Sequence, residues 1–246
     1  MQFEIIASDI TRVSADAIVL PANPALKEGS GTSAAIYGAA GRRRLTAACA
    51  DVTKKYGRIA DGCAVPTPAF DLPAGCIMHA IVPRWRGGDH DEYARLSSAY
   101  LSSLYGADQL GCKSIAFPLL ASGNNGFDLR LAFDIARESI EQYEPEQLER
   151  VILVLYGSHT VAAVRSWGYE VTECLALAGG SSPQATPKDA LVKLGHRLAN
   201  IASGFAQTAL DMSLEWLEDP ENQRAVIERG AAIAKAVVDA KARGMI

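Results

Sequence analysis

The chain has 246 residues, 49% hydrophobic and 21% charged, with 24 basic against 28 acidic side chains. That apolar content excludes a disordered chain, and a net charge of −4 supplies no basic field for nucleic acid or an anionic membrane. Seventeen of the 21 glycines and 10 of the 11 prolines precede residue 188, so the front is expected to be strands and loops and the alanine-rich back helical.

Met1-Gln2-Phe3-Glu4-Ile5-Ile6 has no basic region followed by an apolar stretch and does not read as a signal peptide. No run approaches the roughly 18 apolar residues of a membrane span, and the expected location is cytoplasmic. The five cysteines (Cys49, Cys63, Cys76, Cys112, Cys174) are odd in number and lack a C-x-x-C pair. They read as buried thiols of a reducing compartment, with no metal site.

In chain order, residues 2–7 read as a strand and 16–20 as a second, stopped by Pro21 and Pro24. Residues 33–49 read as helix with a break at Gly41. Residues 62–66 and 76–82 are two further strands around the turn Leu72-Pro73-Ala74-Gly75. Residues 90–110 carry apolar side chains at a helical period. Residues 114–120 form an apolar strand, 129–143 a helix capped by Asp128, 151–156 another apolar strand, and 160–167 a short helix. The alternation predicts a three-layer α/β/α sheet, partly parallel, whose two apolar strands are covered on both faces. Residues 178–188 read as a linker. Residues 189–246 read as a helical hairpin, with Leu191, Leu194, Leu198, Ile201 and Phe205 on one stripe and Asp219-Pro220-Glu221 starting the second helix. That hairpin packs on its own domain or serves as a surface for a partner or a second copy.

Three loops follow strand ends, where open α/β sheets bind ligands. In Ser8-Asp9-Ile10-Thr11, the Asp9 carboxylate either caps a turn or accepts from an exocyclic amine. In residues 23–32, Gly29, Ser30, Gly31 and Thr32 lead into a helix whose free N–H groups can hold an anion. Gly29-x-Gly31-x-x-Ala34 also fits a dinucleotide fingerprint, but its first glycine lies too far beyond Leu20 for that geometry. In the third loop, Ser122, Gly123, Asn124, Asn125 and Gly126 can fold tightly around a ligand, and Phe127 either covers a sugar ring or folds back as a plug. Two such loops at one sheet edge make a clamp for two bridged phosphates.

These residues, in this order, resemble the macro domain family over roughly residues 1–170. Ser8-Asp9-Ile10-Thr11 is similar to G-D-I-T, and Asp16-Ala17-Ile18-Val19-Leu20-Pro21-Ala22-Asn23 to D-A-I-V-N-A-A-N. Gly29-Ser30-Gly31-Thr32-Ser33-Ala34-Ala35-Ile36, then Ala39-Ala40-Gly41, is similar to G-G-G-V-x-x-A-I followed by A-A-G. Leu72-Pro73-Ala74 through His79 resembles L-P-A-x-x-I-I-H. Ser114-Ile115-Ala116-Phe117-Pro118, with Ser122 through Phe127, resembles S-I-A-F-P followed by S-x-G-x-x-G-[YF].

The resemblance implies a macro domain at 1–177 around a six-stranded mixed sheet. It implies a pocket for ADP-ribose or an ADP-ribosylated protein, with no cofactor. By the same resemblance Asp9 accepts from adenine N6, Ile10 offers its backbone N–H, and Tyr156 stacks on the base. Gly29 to Thr32 and Ser122 to Gly126 hold the pyrophosphate, Asn23 touches the distal ribose and Phe127 walls it.

Two departures bear on catalysis. Leu20 replaces the first asparagine, and Ser33 stands where one hydrolytic branch has aspartate. No catalytic residue is therefore assigned: Lys27 and Glu28 lie nearby without a family match. The readings in play are hydrolysis of mono-ADP-ribose from protein, possible through a water held by the ligand's own phosphate, and a pure binding module whose tail recruits a partner. Arg42-Arg43-Arg44 reads as a solvated helix end, His79 as a buried core residue, and Trp85 and Arg86 as loop residues without chemistry.

Overall fold

The computed structural model describes residues 1–173 and, in the tail, Glu228, Ala231, Ala232, Lys235 and Asp239, which are helical. The linker and most of the expected hairpin lie outside the described residues.

The strands are β1 (Gln2–Ala7), β2 (Ala17–Ala22), β3 (Ala64–Pro68), β4 (Cys76–Ile81), β5 (Ser114–Pro118), β6 (Arg150–Leu155) and β7 (Thr172–Glu173). They form one sheet in the order β3-β4-β2-β5-β6-β1-β7, all parallel except the β3–β4 pair. Among the described residues the sheet therefore has seven strands, not six. The extra one pairs two residues with the edge of β1, too short for any period-2 pattern to register.

The helices are α1 (Thr32–Ala40), α2 (Arg42–Tyr56), α3 (Glu92–Gln109), α4 (Leu129–Glu141) and α5 (Ser158–Ser166). None among the described residues is long and apolar enough to cross a membrane. The expected break at Gly41 is real: it sits at φ 89°, closing α1 and opening α2, and a Cβ there would approach Arg44 Nη2 to 2.9 Å. Asp128 caps α4 by accepting from Leu131 N at 3.0 Å.

Apolar residues alternate between two cores. On one face Ile115, Phe117, Val151, Leu153 and Leu155 pack with α3 and α4 residues such as Tyr100 and Phe133. On the other, Ala116, Ile152 and Val154 pack with Ile36, Leu45 and Val52 of α1 and α2. This is why β5 and β6 lack polar alternation.

Several boundaries differ from expectation, among them α2, which runs on to Tyr56 past the expected end at 49. β2 continues through Pro21 because its ladder with β5 ends at Ile18, leaving the outer half paired only with β4. Such one-sided pairing tolerates a residue without an N–H. β3 lies two residues later than 62–66. β5 stops at Pro118, and Leu120, though fully buried, donates its N–H to the Tyr100 hydroxyl at 2.9 Å instead of a strand.

Asp16 fixes the register of the centre. Its Oδ2 accepts from the N–H groups of Lys113 (2.8 Å) and Ser114 (3.0 Å) and from Ser114 Oγ (3.1 Å), clamping the start of β5 beside β2. Parallel order then delivers the loops after β1, β2, β4, β5 and β6 to one edge.

Candidate ligand site

The loop after β2 is built by its own polar side chains. Asn23 Oδ1 accepts from Ala25 N (3.1 Å) and Lys27 N (3.2 Å), and its Nδ2 donates to Lys27 O (2.6 Å). Most of this amide is thus committed to shaping the loop. Ser33 Oγ accepts from Gly29 N at 3.0 Å. Gly31 caps α1 at φ 59°, ψ −127°, a region essentially reserved for glycine. The resulting turn leaves a run of N–H groups open: those of Glu28, Ser30, Gly31, Thr32, Ser33 and Ala34 meet no acceptor among the described residues.

The loop after β5 repeats the device. Ala121 adopts φ 65° and Gly126 φ 80°, and the turn closes through Gly126 N to Gly123 O (3.0 Å) and Phe127 N to Ala121 O (3.3 Å). The N–H groups of Ser122, Gly123, Asn124 and Asn125 have no acceptor among the described residues. The two loops touch directly, because Asn124 Nδ2 donates to Ser30 Oγ at 2.7 Å. Two adjoining sets of unpaired amides, one of them at a helix N-terminus, have the donor chemistry that an anion needs.

Asn125 and Phe127 hold the second loop in place. Asn125 Nδ2 donates to the carbonyls of Val82 (3.2 Å) and Pro83 (2.9 Å), and its own carbonyl accepts from Trp85 N (2.8 Å). Phe127 is only 4% exposed and packs edge-on against Trp85 (5.2 Å between centroids) and Tyr93 (6.5 Å). Of its two expected arrangements, the folded-back plug is the one observed. Trp85 and Tyr93, passed over in the sequence, complete this plug. They lie more than 30 residues from Phe127, beyond any local pattern.

Two strands over, β1 and β6 run in register, with Ala7 opposite Leu155 and Ser8 N donating to Leu155 O (3.1 Å). This brings Asp9, Ile10 and Tyr156 to one place. Asp9 caps the short 3-10 turn Ile10–Arg12: its Oδ1 accepts from Thr11 N (2.9 Å) and Thr11 Oγ1 (2.8 Å). Its Oδ2 and the Ile10 N–H have no partner among the described residues, so capping and ligand binding are compatible. Tyr156 is 77% exposed, leaving its ring open at the surface.

Position 20 lies in the core, where Leu20 is 1% exposed. Glu28 forms an ion pair with Arg42 at 2.8 Å, and Arg44 pairs with Asp71, so the arginine run is partly tied down. His79 is fully buried, with Nε2 2.8 Å from Thr67 Oγ1 and 3.8 Å from Cys49 Sγ. Burial pushes its pKa down to about 3, so it is a neutral core residue and not a base for the site.

A model of the macro domain matches residues 19–136. An O-acetyl-ADP-ribose deacetylase of Klebsiella pneumoniae (strain 342) is 40% identical over 169 residues, covering 67% of this chain and 95% of that protein. A mutant Oceanobacillus iheyensis macrodomain with ADPR superposes with a TM-score of 0.62 at 28% identity, over 67% of this chain and 90% of that one. The same macrodomain with ADP also gives 0.62 at 28% identity, over 67% and 88%. With this sequence likeness across nearly the whole of the relative, and with the fold and loops described above, the chain belongs to the macro domain family.

Proposed function

We propose that this chain binds ADP-ribose and hydrolyses carboxylic esters of its distal ribose. Adenine lies against Tyr156, with N6 donating to Asp9 Oδ2 and the ring accepting from Ile10 N–H. The pyrophosphate lies between the open amides of residues 28–34 and 122–125. The observation that carries this reading is those two adjoining sets of N–H groups. The relative named for O-acetyl-ADP-ribose deacetylation supplies the reaction class. Water adds to the acyl carbon, the ribose oxygen leaves with a proton, and the products are ADP-ribose and the free acid. An acetyl ester and the ester of a modified glutamate or aspartate side chain share this bond, so a mono-ADP-ribosylated protein is a substrate of the same chemistry.

Ser33 offers no carboxylate, and its hydroxyl already accepts from Gly29 N. The attacking water is accordingly positioned by the ligand's phosphate. The same observation favours a second reading, a module that binds without turnover. Incubation with O-acetyl-ADP-ribose separates the two: release of acetate with saturation kinetics is expected, and intact ester at enzyme excess, with ADP-ribose still bound, would leave only the binding module.

A further inference from the structure

A cavity opens at the same sheet edge, on the β4–β3 side. It measures about 250 Å³ and is lined by Asp61, Pro83, Arg84, Arg86, His90 and Arg95. Three arginines face one aspartate there, in a chain whose net charge is −4. Arg95 pairs with Asp61 at 3.4 Å. Arg84 and Arg86 are exposed, and their guanidinium groups have no acceptor among the described residues.

The cavity wall is a constructed loop. The carboxylate of Glu92, 1% exposed, accepts from Arg86 N (2.9 Å), Gly88 N (3.2 Å) and His90 N (2.7 Å). Burial opposes its ionisation, but the amides outweigh burial and hold its pKa down at about 2. The same loop is tied to the phosphate-side loop through Asn125, which bonds the carbonyls of Val82 and Pro83 and the N–H of Trp85. Arg84 and Arg86 flank that anchored tryptophan.

The sheet order sets the direction. With adenine at β6/β1 and pyrophosphate between β5 and β2, as the ester-hydrolase reading has them, the strand order puts β4 and β3 next in line for the distal ribose. On that reading, whatever is esterified to the ribose leaves the site on the arginine side.

We infer that this cavity docks an acidic segment of the modified protein, with carboxylates beside the esterified side chain meeting Arg84 and Arg86. The inference rests on the ester-hydrolase reading. Its support is charge complementarity at the lining itself: with Arg95 paired to Asp61, Arg84 and Arg86 are left to meet two carboxylates, Asp89 and Asp91 lying exposed on the same loop. Guanidinium forks bind carboxylates bidentately. Exposed pairs of this kind are individually weak and screened by salt, which suits a specificity contact beside a tight nucleotide site.

The test compares two peptides carrying ADP-ribose on one glutamate, flanked by glutamates or by glutamines, on the wild-type chain and on Arg84→Ala/Arg86→Ala. The wild type should show about a fivefold lower KM for the acidic peptide, equivalent to about 1 kcal/mol, shrinking at high salt. The double variant should lose that preference while turning over O-acetyl-ADP-ribose unchanged. Equal KM values on the wild type, or a preference that survives the double substitution, would overturn the inference. If ADP-ribose itself does not bind, the ester-hydrolase reading fails separately. An unmodified tetraglutamate peptide titrated at millimolar concentration in low salt then decides the cavity: amide NMR shifts confined to residues 84–95 support it, and none overturns it.

Discussion

Asp9→Asn separates the two roles that one side chain combines. Oδ1 caps the turn through Thr11 N and Thr11 Oγ1, at 2.9 and 2.8 Å, while Oδ2 is open toward the proposed adenine position. Asparagine caps as well as aspartate, so its oxygen can keep both Thr11 bonds. The atom facing adenine N6 then becomes an NH2, and donor meets donor. A hydrogen bond to a charged group contributes about 1.5–3 kcal/mol, so ADP-ribose affinity should fall at least about tenfold while the melting temperature holds. Asp9→Ala loses both roles. The missing cap costs about 1 kcal/mol, or about 2–4 °C for a unit of this size, in addition to the lost affinity. Calorimetric titration and thermal melts of the three proteins give both numbers. Inosine diphosphate ribose, whose base presents an oxygen where adenine has its amine, should be weaker than ADP-ribose on the wild type and recover relative to it on Asp9→Asn. Unchanged ADP-ribose affinity in Asp9→Asn would place the adenine elsewhere and reduce Asp9 to a cap.

Three further outcomes are expected. Gly31→Ala places a Cβ in open space, but at φ 59° and ψ −127°. The backbone strain costs about 1–3 kcal/mol, so chemical denaturation should shift to lower denaturant and the heat of ADP-ribose binding should vanish; an unaltered titration would remove the first loop from the phosphate site. Tyr156→Ala should leave the denaturation midpoint within about 0.5 kcal/mol, since the ring is exposed. It should still weaken ADP-ribose by about 1–3 kcal/mol of lost stacking, with Tyr156→Phe close to wild type; equal affinity for all three would exclude stacking. His79 is neutral when folded down to about pH 3 but protonates from its ordinary value of 6.5 when unfolded, so stability is full above pH 6.5 and falls as pH drops toward 3. Between pH 7 and 5 this amounts to about 2 kcal/mol, measurable by urea denaturation. His79→Gln should flatten that dependence, and a slope equal to wild type would contradict the assignment.

The sequence carried most of the ligand edge because its signals are local. Strand, loop and capped helix succeed one another around Gly31 and Asp128, and each signal spans a few residues. The Gly41 break and the buried His79 were legible for the same reason. What escaped depended on distant partners. The aromatic plug joins Phe127 to Trp85 and Tyr93. Asn125 turned out to tie two loops together, and Glu92 to organise residues 86–90 from inside the fold. Arg86 read as a loop residue without chemistry, and nothing local marked Arg84, until the fold set both beside Arg95 and Asp61. Pro21 misled because a proline stops a strand only where the one neighbour its N–H would face needs that donor, and the ladder with β5 has already ended at Ile18. β7 was invisible because two residues have no period.

The central claim is that the amides after β2 and β5 hold the pyrophosphate of ADP-ribose. Amide NMR of the wild-type chain titrated with ADP-ribose tests it most directly. The account predicts saturable shifts of the N–H signals of Ser30, Gly31, Thr32, Ser122, Gly123 and Asn124, with Asp9 and Tyr156 following the same isotherm. No shift in either loop at millimolar ADP-ribose would contradict it.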